Sequence, residues 1–192
     1  LNPGLDRLAL VCEAYVDREG KLLSWKFNRA VIRSQARLTY NQVFARMTHG
    51  ADIAPLGNPD VERSFDALNA LFTVLLAARR ERGVLDFNDV EPRLVAREDG
   101  QFDLVWEERN NAHRLVEELM LLANQAAAAE LAHRKVPAMF RHQRMPDAED
   151  WSELREWLAP RGIVLATEPS LKELARTLQD ARSRDDYPVI EA

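Results

Sequence analysis

Apolar positions alternate from Leu8 to Val16 and resume over Leu22 to Arg33, and between them lies the turn-forming run Asp17-Arg18-Glu19-Gly20. Period-two patterning on both sides of a short polar turn predicts an antiparallel hairpin. The period then changes. Tyr40, Val43, Phe44 and Met47 fall at i, i+3, i+4 and i+7, Thr39 stands three residues before Gln42 as in a capping box, and Gly50 follows. That spacing predicts a short helix to about His49. Residues 50–58, with Pro55 and Gly57, read as a loop. Asn58 as N-cap and Pro59 as first helical residue open a longer helix with the stripe Val61, Phe65, Leu68, Leu71, Phe72, Leu75 and Leu76. It should end at Gly83, with Arg79, Arg80 and Arg82 where the helix dipole favours cations.

Three short strands are predicted next, over Val84–Phe87, Arg93–Arg97 and Phe102–Trp106, the last two joined by Glu98-Asp99-Gly100. From Asn110 to His133 an apolar face of Ala112, Leu115, Val116, Leu119, Leu122, Ala123, Ala126 and Ala129 predicts a long helix, and Pro137 closes it. Beyond lie a predicted strand at Ala138–Arg141, a helix near Asp147–Leu158 and a turn at Pro160-Arg161-Gly162. A last helix should start at Ser170, with Glu173 completing a capping box. Arg182 to Ala192 read as a frayed end. The expected class is α+β, an antiparallel hairpin and short strands packed with several helices.

Composition narrows the setting. A chain of 192 residues with 46% hydrophobic residues can bury a core. No apolar run approaches the ~18 residues of a membrane span, so no membrane partner is expected. Cys12 is the only cysteine, which excludes an internal disulfide and fits a reducing, cytoplasmic setting. A net charge of −5 excludes an unspecific basic coat for nucleic acid but leaves room for a narrow arginine-lined channel.

The residues that could carry chemistry are few. The acidic groups Asp147-Ala148-Glu149-Asp150 and Asp185-Asp186 sit at a helix start and in the tail, where the dipole accounts for the first. His113 and Glu117 share a helix face at i, i+4, but two ligands do not make a metal site, and an ion-pair face has the same spacing. Glu117 belongs to a polar stripe with Asn110, His113 and Asn124. Tyr40 belongs to an apolar stripe, and Phe87 follows a basic helix end. On residues alone each can be a packed or solvated group. Arg7, Arg37, Arg109, Arg114 and Arg141 have the chemistry for phosphate contacts, with nothing in the sequence to say which face a channel.

One further pattern points to function. Leu1-Asn2-Pro3-Gly4-Leu5-Asp6-Arg7-Leu8 with Val11-Cys12-Glu13, then Ser34-Gln35-Ala36-Arg37-Leu38-Thr39-Tyr40, then Arg80-Glu81-Arg82-Gly83 through Phe87, then Arg109-Asn110-Asn111-Ala112-His113-Arg114-Leu115-Val116-Glu117-Glu118, stand in an order and spacing that resembles the RNB catalytic domain. That is the nuclease domain of ribonuclease II and ribonuclease R, and the resemblance is nearer the ribonuclease R branch. It implies that residues 1–192 are a partial RNB domain of a processive 3′-to-5′ exoribonuclease that hydrolyses single-stranded RNA to nucleoside monophosphates. It also implies a magnesium cofactor in the intact protein. The metal-holding aspartates are expected upstream of Leu1 and the Ser-Pro-Ile-Arg-Arg type arginine segment beyond Ala192. The chain alone is therefore expected to hold no metal, to contain no catalytic residue and to be inactive, and its exposed edges invite self-association. Within it the resemblance assigns RNA binding to three residues: Phe87 would stack on bases, while Tyr40 and Glu117 would position the terminal nucleotide. A non-catalytic RNA-binding or protein-interaction module on the same scaffold is the rival expectation.

Overall fold

Asp17 closes the first hairpin, its Oδ1 accepting the backbone N–H of Glu19 at 3.0 Å and of Lys21 at 2.8 Å while Gly20 takes a left-handed φ of 79°. In this computed structural model, which describes residues 2–50, 58–85, 90–97, 99–141 and 144–191, strands β1 (Asp6–Val16) and β2 (Leu22–Arg33) pair antiparallel on either side of that turn. Their register runs from Asp6 opposite Arg33, which form an ion pair at 2.6 Å, to a bulge at Tyr15/Val16. A separate two-stranded sheet holds β3 (Val90–Ala96) and β4 (Phe102–Glu108). Helices α1 (Tyr40–His49), α2 (Pro59–Glu81), α3 (Asn111–His133), α4 (Ala148–Leu158), α5 (Leu171–Ala181) and α6 (Tyr187–Glu191) complete the α+β architecture. Residues 51–57 of the predicted 50–58 loop and residues 86–89, Phe87 among them, lie outside the described residues.

The chain forms two compact units. The first contains the hairpin, α1, most of α2, the β3–β4 sheet and α3. Its core gathers Phe65 of α2 with Leu38, Val43, Met47 and Val61, while α3 buries Ala112, Leu115, Leu122 and Ala126. One hydrogen bond ties the hairpin to α3: Trp25 Nε1 donates to Glu130 Oε2 at 2.8 Å. The second unit contains the last turn of α2 and the residues from Met139 onward. There Trp151 and Leu158, each 1% exposed, pack with Ile163, Leu165, Leu174, Ala181, Tyr187 and Ile190, and the Trp151 indole donates to the Ala166 carbonyl at 2.9 Å.

Four sequence expectations change. No strand begins at Val84, because α2 ends in a Schellman turn: Gly83 N–H donates to Arg80 O at 2.9 Å and Val84 N–H to Arg79 O at 3.4 Å. Leu85 then packs on the second unit's core. Ala138–Arg141 is exposed coil, since no described strand offers these residues a ladder partner. The tail is not frayed, because Tyr187 and Ile190, at i and i+3, bury one face of α6, and Arg184 pairs with Asp186 ahead of it. The guanidinium of Arg184 holds the Asp186 carboxyl below its ordinary value. The box at α5 is half made: Ser170 Oγ accepts from Glu173 N–H, but the Glu173 carboxylate turns to the backbone N–H of Ala166 at 2.8 Å.

Two left-handed residues give opposite predictions. Gly83 has φ 78°, and a Cβ there would meet the Lys172 Cα at 2.5 Å, so Gly83→Ala should lower stability by at least ~1–2 kcal/mol, the left-handed strain alone. Lys135, the C′ residue of a Schellman turn after α3, holds φ 54° with an exposed side chain. Lys135→Gly should raise stability by about 0.5–1 kcal/mol, the strain relieved less the added chain entropy. Denaturant unfolding of both variants checks the pair; two changes of the same sign would contradict it.

The Trp25–Glu130 bond sets a pH dependence. The indole N–H first, and Arg134 second, hold the Glu130 carboxyl below its usual value. A carboxylate with a lowered folded pKa adds stability that is complete above its unfolded pKa and disappears as pH falls through the folded one. Glu130→Gln should therefore flatten the acid side of the stability–pH curve and leave its slope near neutrality unchanged. Melting curves from pH 7 down to pH 3 measure this, and parallel acid limbs for the two proteins would refute it.

Candidate nucleic-acid interface

Two helix N-termini meet in the first unit. Thr39 caps α1 in a capping box with Gln42, and Asn110 caps α3, its Oδ1 accepting the backbone N–H of Ala112 at 3.0 Å and of His113 at 3.4 Å. The N3 residue of that second box is His113, whose Nδ1 lies 3.4 Å from the Asn110 backbone N. Tyr40, the first residue of α1, lays its ring on the His113 imidazole with centroids 3.9 Å apart and planes 21° from parallel. The stack brings the positive ends of two helix dipoles within side-chain reach of one another, a setting that favours anionic groups such as phosphate.

One turn along α3 stands Glu117. Its carboxylate pairs with Arg109, the residue just before the cap, and the two side chains remain 34% and 24% exposed. Tyr40 is 45% exposed. The structure thus brings Tyr40 and Glu117 to one end of α3, together with His113 and Arg109. Tyr40 does not lie on the core side with Val43 and Met47, which pack near Phe65. Phe87 lies outside the described residues, so its relation to this cluster is undescribed. Of the other arginines, Arg7, Arg37 and Arg141 are exposed and Arg114 is half-buried.

Sequence reasoning missed two features. His113 was visible as a member of the polar stripe with Glu117, but its stack on Tyr40 joins residues 73 positions apart and has no local signature. Glu118 is the buried carboxylate of α3, at 4% exposure, and it is engaged by other groups. Its place, three residues after Leu115 and four before Leu122, was the available signal. Among the described residues no three His, Cys, Asp or Glu side chains are grouped so as to hold a metal ion, and no helix is long and apolar enough to cross a membrane.

Comparison with known proteins gives this geometry a lineage. The model of the RNB domain matches residues 1–190. Ribonuclease R of Escherichia coli is 34% identical over the whole chain, which spans 24% of that protein, and ribonuclease R of Aquifex aeolicus is 33% identical over 99% of the chain, which spans 27% of it. The chain thus covers about a quarter of the length of these relatives. Among solved structures, Mycoplasma genitalium RNase R in complex with ribose methylated single-stranded RNA superposes with a TM-score of 0.87 at 23% identity, over 98% of this chain and 30% of that one. The same enzyme in complex with double-stranded RNA gives a TM-score of 0.87 over 98% of this chain and 34% of that one. With the match to the domain model running almost end to end, the chain belongs to the RNB domain family.

Proposed function

We propose that this chain is the RNA-guiding part of a processive 3′-to-5′ exoribonuclease that hydrolyses single-stranded RNA to nucleoside monophosphates. The observation that carries the reading is the half-exposed Tyr40–His113 stack beside the Arg109–Glu117 pair, in a chain that belongs to the RNB family. The ribonuclease R relatives support a hydrolytic nuclease, and the bound single-stranded RNA of one structural neighbour supports RNA as the ligand.

In this reading Tyr40 offers a ring face to the terminal nucleotide. Every base presents a π-face, so stacking suits an enzyme that must accept any sequence. Glu117 accepts hydrogen bonds from the nucleotide's hydroxyl or amino groups, and Arg109 is released to a phosphate as the pair opens. A partly exposed ion pair is weak enough for that exchange, on the order of 1 kcal/mol or less. Phe87 stacks on bases near the RNA 3′ end. A cytoplasmic setting fits the single cysteine and the activity.

Magnesium is the cofactor that family membership implies. The described residues do not fit a magnesium site, since no three of their acidic and imidazole groups are brought together. The reading therefore gives the metal to aspartates outside residues 1–192 of a longer nuclease domain and leaves binding and orientation to the residues described. Taken alone, the chain would expose Leu8, Leu10 and Val31 on one hairpin and Leu94, Phe102 and Trp106 on the other, and self-association through those edges follows.

The test uses the intact protein, magnesium and a uniformly labelled single strand. Stepwise release of nucleoside monophosphates, stopped by a chelator, is expected. Glu117→Ala should slow turnover by about 10- to 100-fold, the value of a hydrogen bond to a charged group. Its melting should shift by no more than ~1 kcal/mol of stability, because the ion pair it loses is partly exposed. RNA binding without release of mononucleotides would replace this reading with that of a non-catalytic binding module, and full turnover in the variant would remove Glu117 from the site.

A further inference from the structure

We propose that His113 is a positioning residue of the RNA site, holding Tyr40 as the middle layer of a three-layer stack in which the third layer is an RNA base. The proposal rests on the reading of Tyr40 as an RNA contact and goes beyond it by giving His113 a task.

At 3.9 Å and 21° the two rings are in face contact, and nothing can enter between them. One face of Tyr40 is thus taken. The residue remains 45% open to solvent, and the base is assigned to the ring face opposite the imidazole. A tyrosine on the first residue of a helix would otherwise sample several rotamers and lose that freedom when RNA binds, which weakens binding.

His113 removes the freedom beforehand because it is itself held. Its Nδ1 lies 3.4 Å from the Asn110 backbone N and 3.0 Å from Asn110 Oδ1, so one tautomer accepts the N–H and the other donates to Oδ1, and either bonds the ring to Asn110. The same Oδ1 accepts the first backbone N–H groups of α3. The imidazole is therefore part of the helix cap, and through the stack the cap of α3 fixes a side chain of α1. The two tasks of His113, capping and stacking, use different parts of the residue: the ring nitrogen makes the cap and the ring face makes the stack.

Substitutions separate the two tasks. His113→Gln keeps an oxygen acceptor at N3 and removes the ring; His113→Phe keeps a ring and removes the acceptor. In the intact protein, with the metal chelated so that no cleavage occurs, affinity for a short fluorescent oligo(A) strand should fall about 3- to 10-fold in His113→Gln. It should return to within about twofold of wild type in His113→Phe. His113→Tyr serves as a second ring variant should Phe lower the melting temperature. The opposite ranking, Gln like wild type and both ring variants weak, would reduce His113 to a helix cap and overturn the proposal.

A second arm adds Tyr40→Ala. That variant should bind more weakly than His113→Gln, and combining the two should cause no further loss, since the imidazole acts through the phenol ring. An added loss would mean that His113 meets RNA by itself, which overturns the positioning role while leaving Tyr40 in the site. Wild-type affinity in Tyr40→Ala alone would instead remove Tyr40 from the site and the proposal with it. The two failures are therefore distinct.

Discussion

Asn110 holds the start of α3 by accepting two backbone N–H groups on one side-chain oxygen, and the arrangement of the candidate interface hangs on that cap. A cap is worth only about 1 kcal/mol to the helix. Its positional effect is larger. Arg109 immediately precedes it, His113 belongs to it, and Glu117 follows one turn later, so the backbone geometry set at Asn110 places all three. The same helix buries Ala112, Leu115, Leu122 and Ala126, so the position of its polar end is secured by an apolar stripe that faces elsewhere.

The second unit is built on a different economy. Its core is an aromatic and aliphatic cluster around Trp151, and two of its helix ends are closed by Schellman turns, one ending α2 at Gly83 and another following α4 at Gly162, which has φ 73°. Each such turn satisfies carbonyls that a helix end leaves open and redirects the chain within two residues.

Much of the fold was legible because its signals are local. Thr39 with Gln42, Asn58 with Pro59, Asn110 and Asp147 all mark helix starts by side-chain chemistry that reaches only two or three residues, and the structure has the helices there. The hairpin was legible for the same reason, through Asp17 and Gly20. What failed was decided at a distance. A strand needs a partner that sequence pattern does not supply, so Ala138–Arg141 had the composition without the ladder. The helix at Tyr187 is too short to be stable alone and exists because Ile190 and Tyr187 find Trp151's cluster. At the interface, Glu117's place on a polar stripe followed from the helix wheel, whereas the partner of Tyr40 did not.

The Trp25–Glu130 hydrogen bond spans 105 positions of chain. A ribosome that adds about 5–20 residues each second needs on the order of 5–20 s to produce the second partner after the first. Throughout that interval the β1–β2 ribbon exists without α3, and a two-stranded ribbon is at best marginally stable in water. Leu8, Leu10, Leu23 and Val31 stay open on it even in the folded state, and before α3 arrives the half-buried Phe27 and Trp25 are open as well. Until α3 is made the nascent chain thus carries an adhesive ribbon whose apolar side chains line one face, and holdase chaperones that bind extended apolar segments would find their target there rather than in the helices that come after.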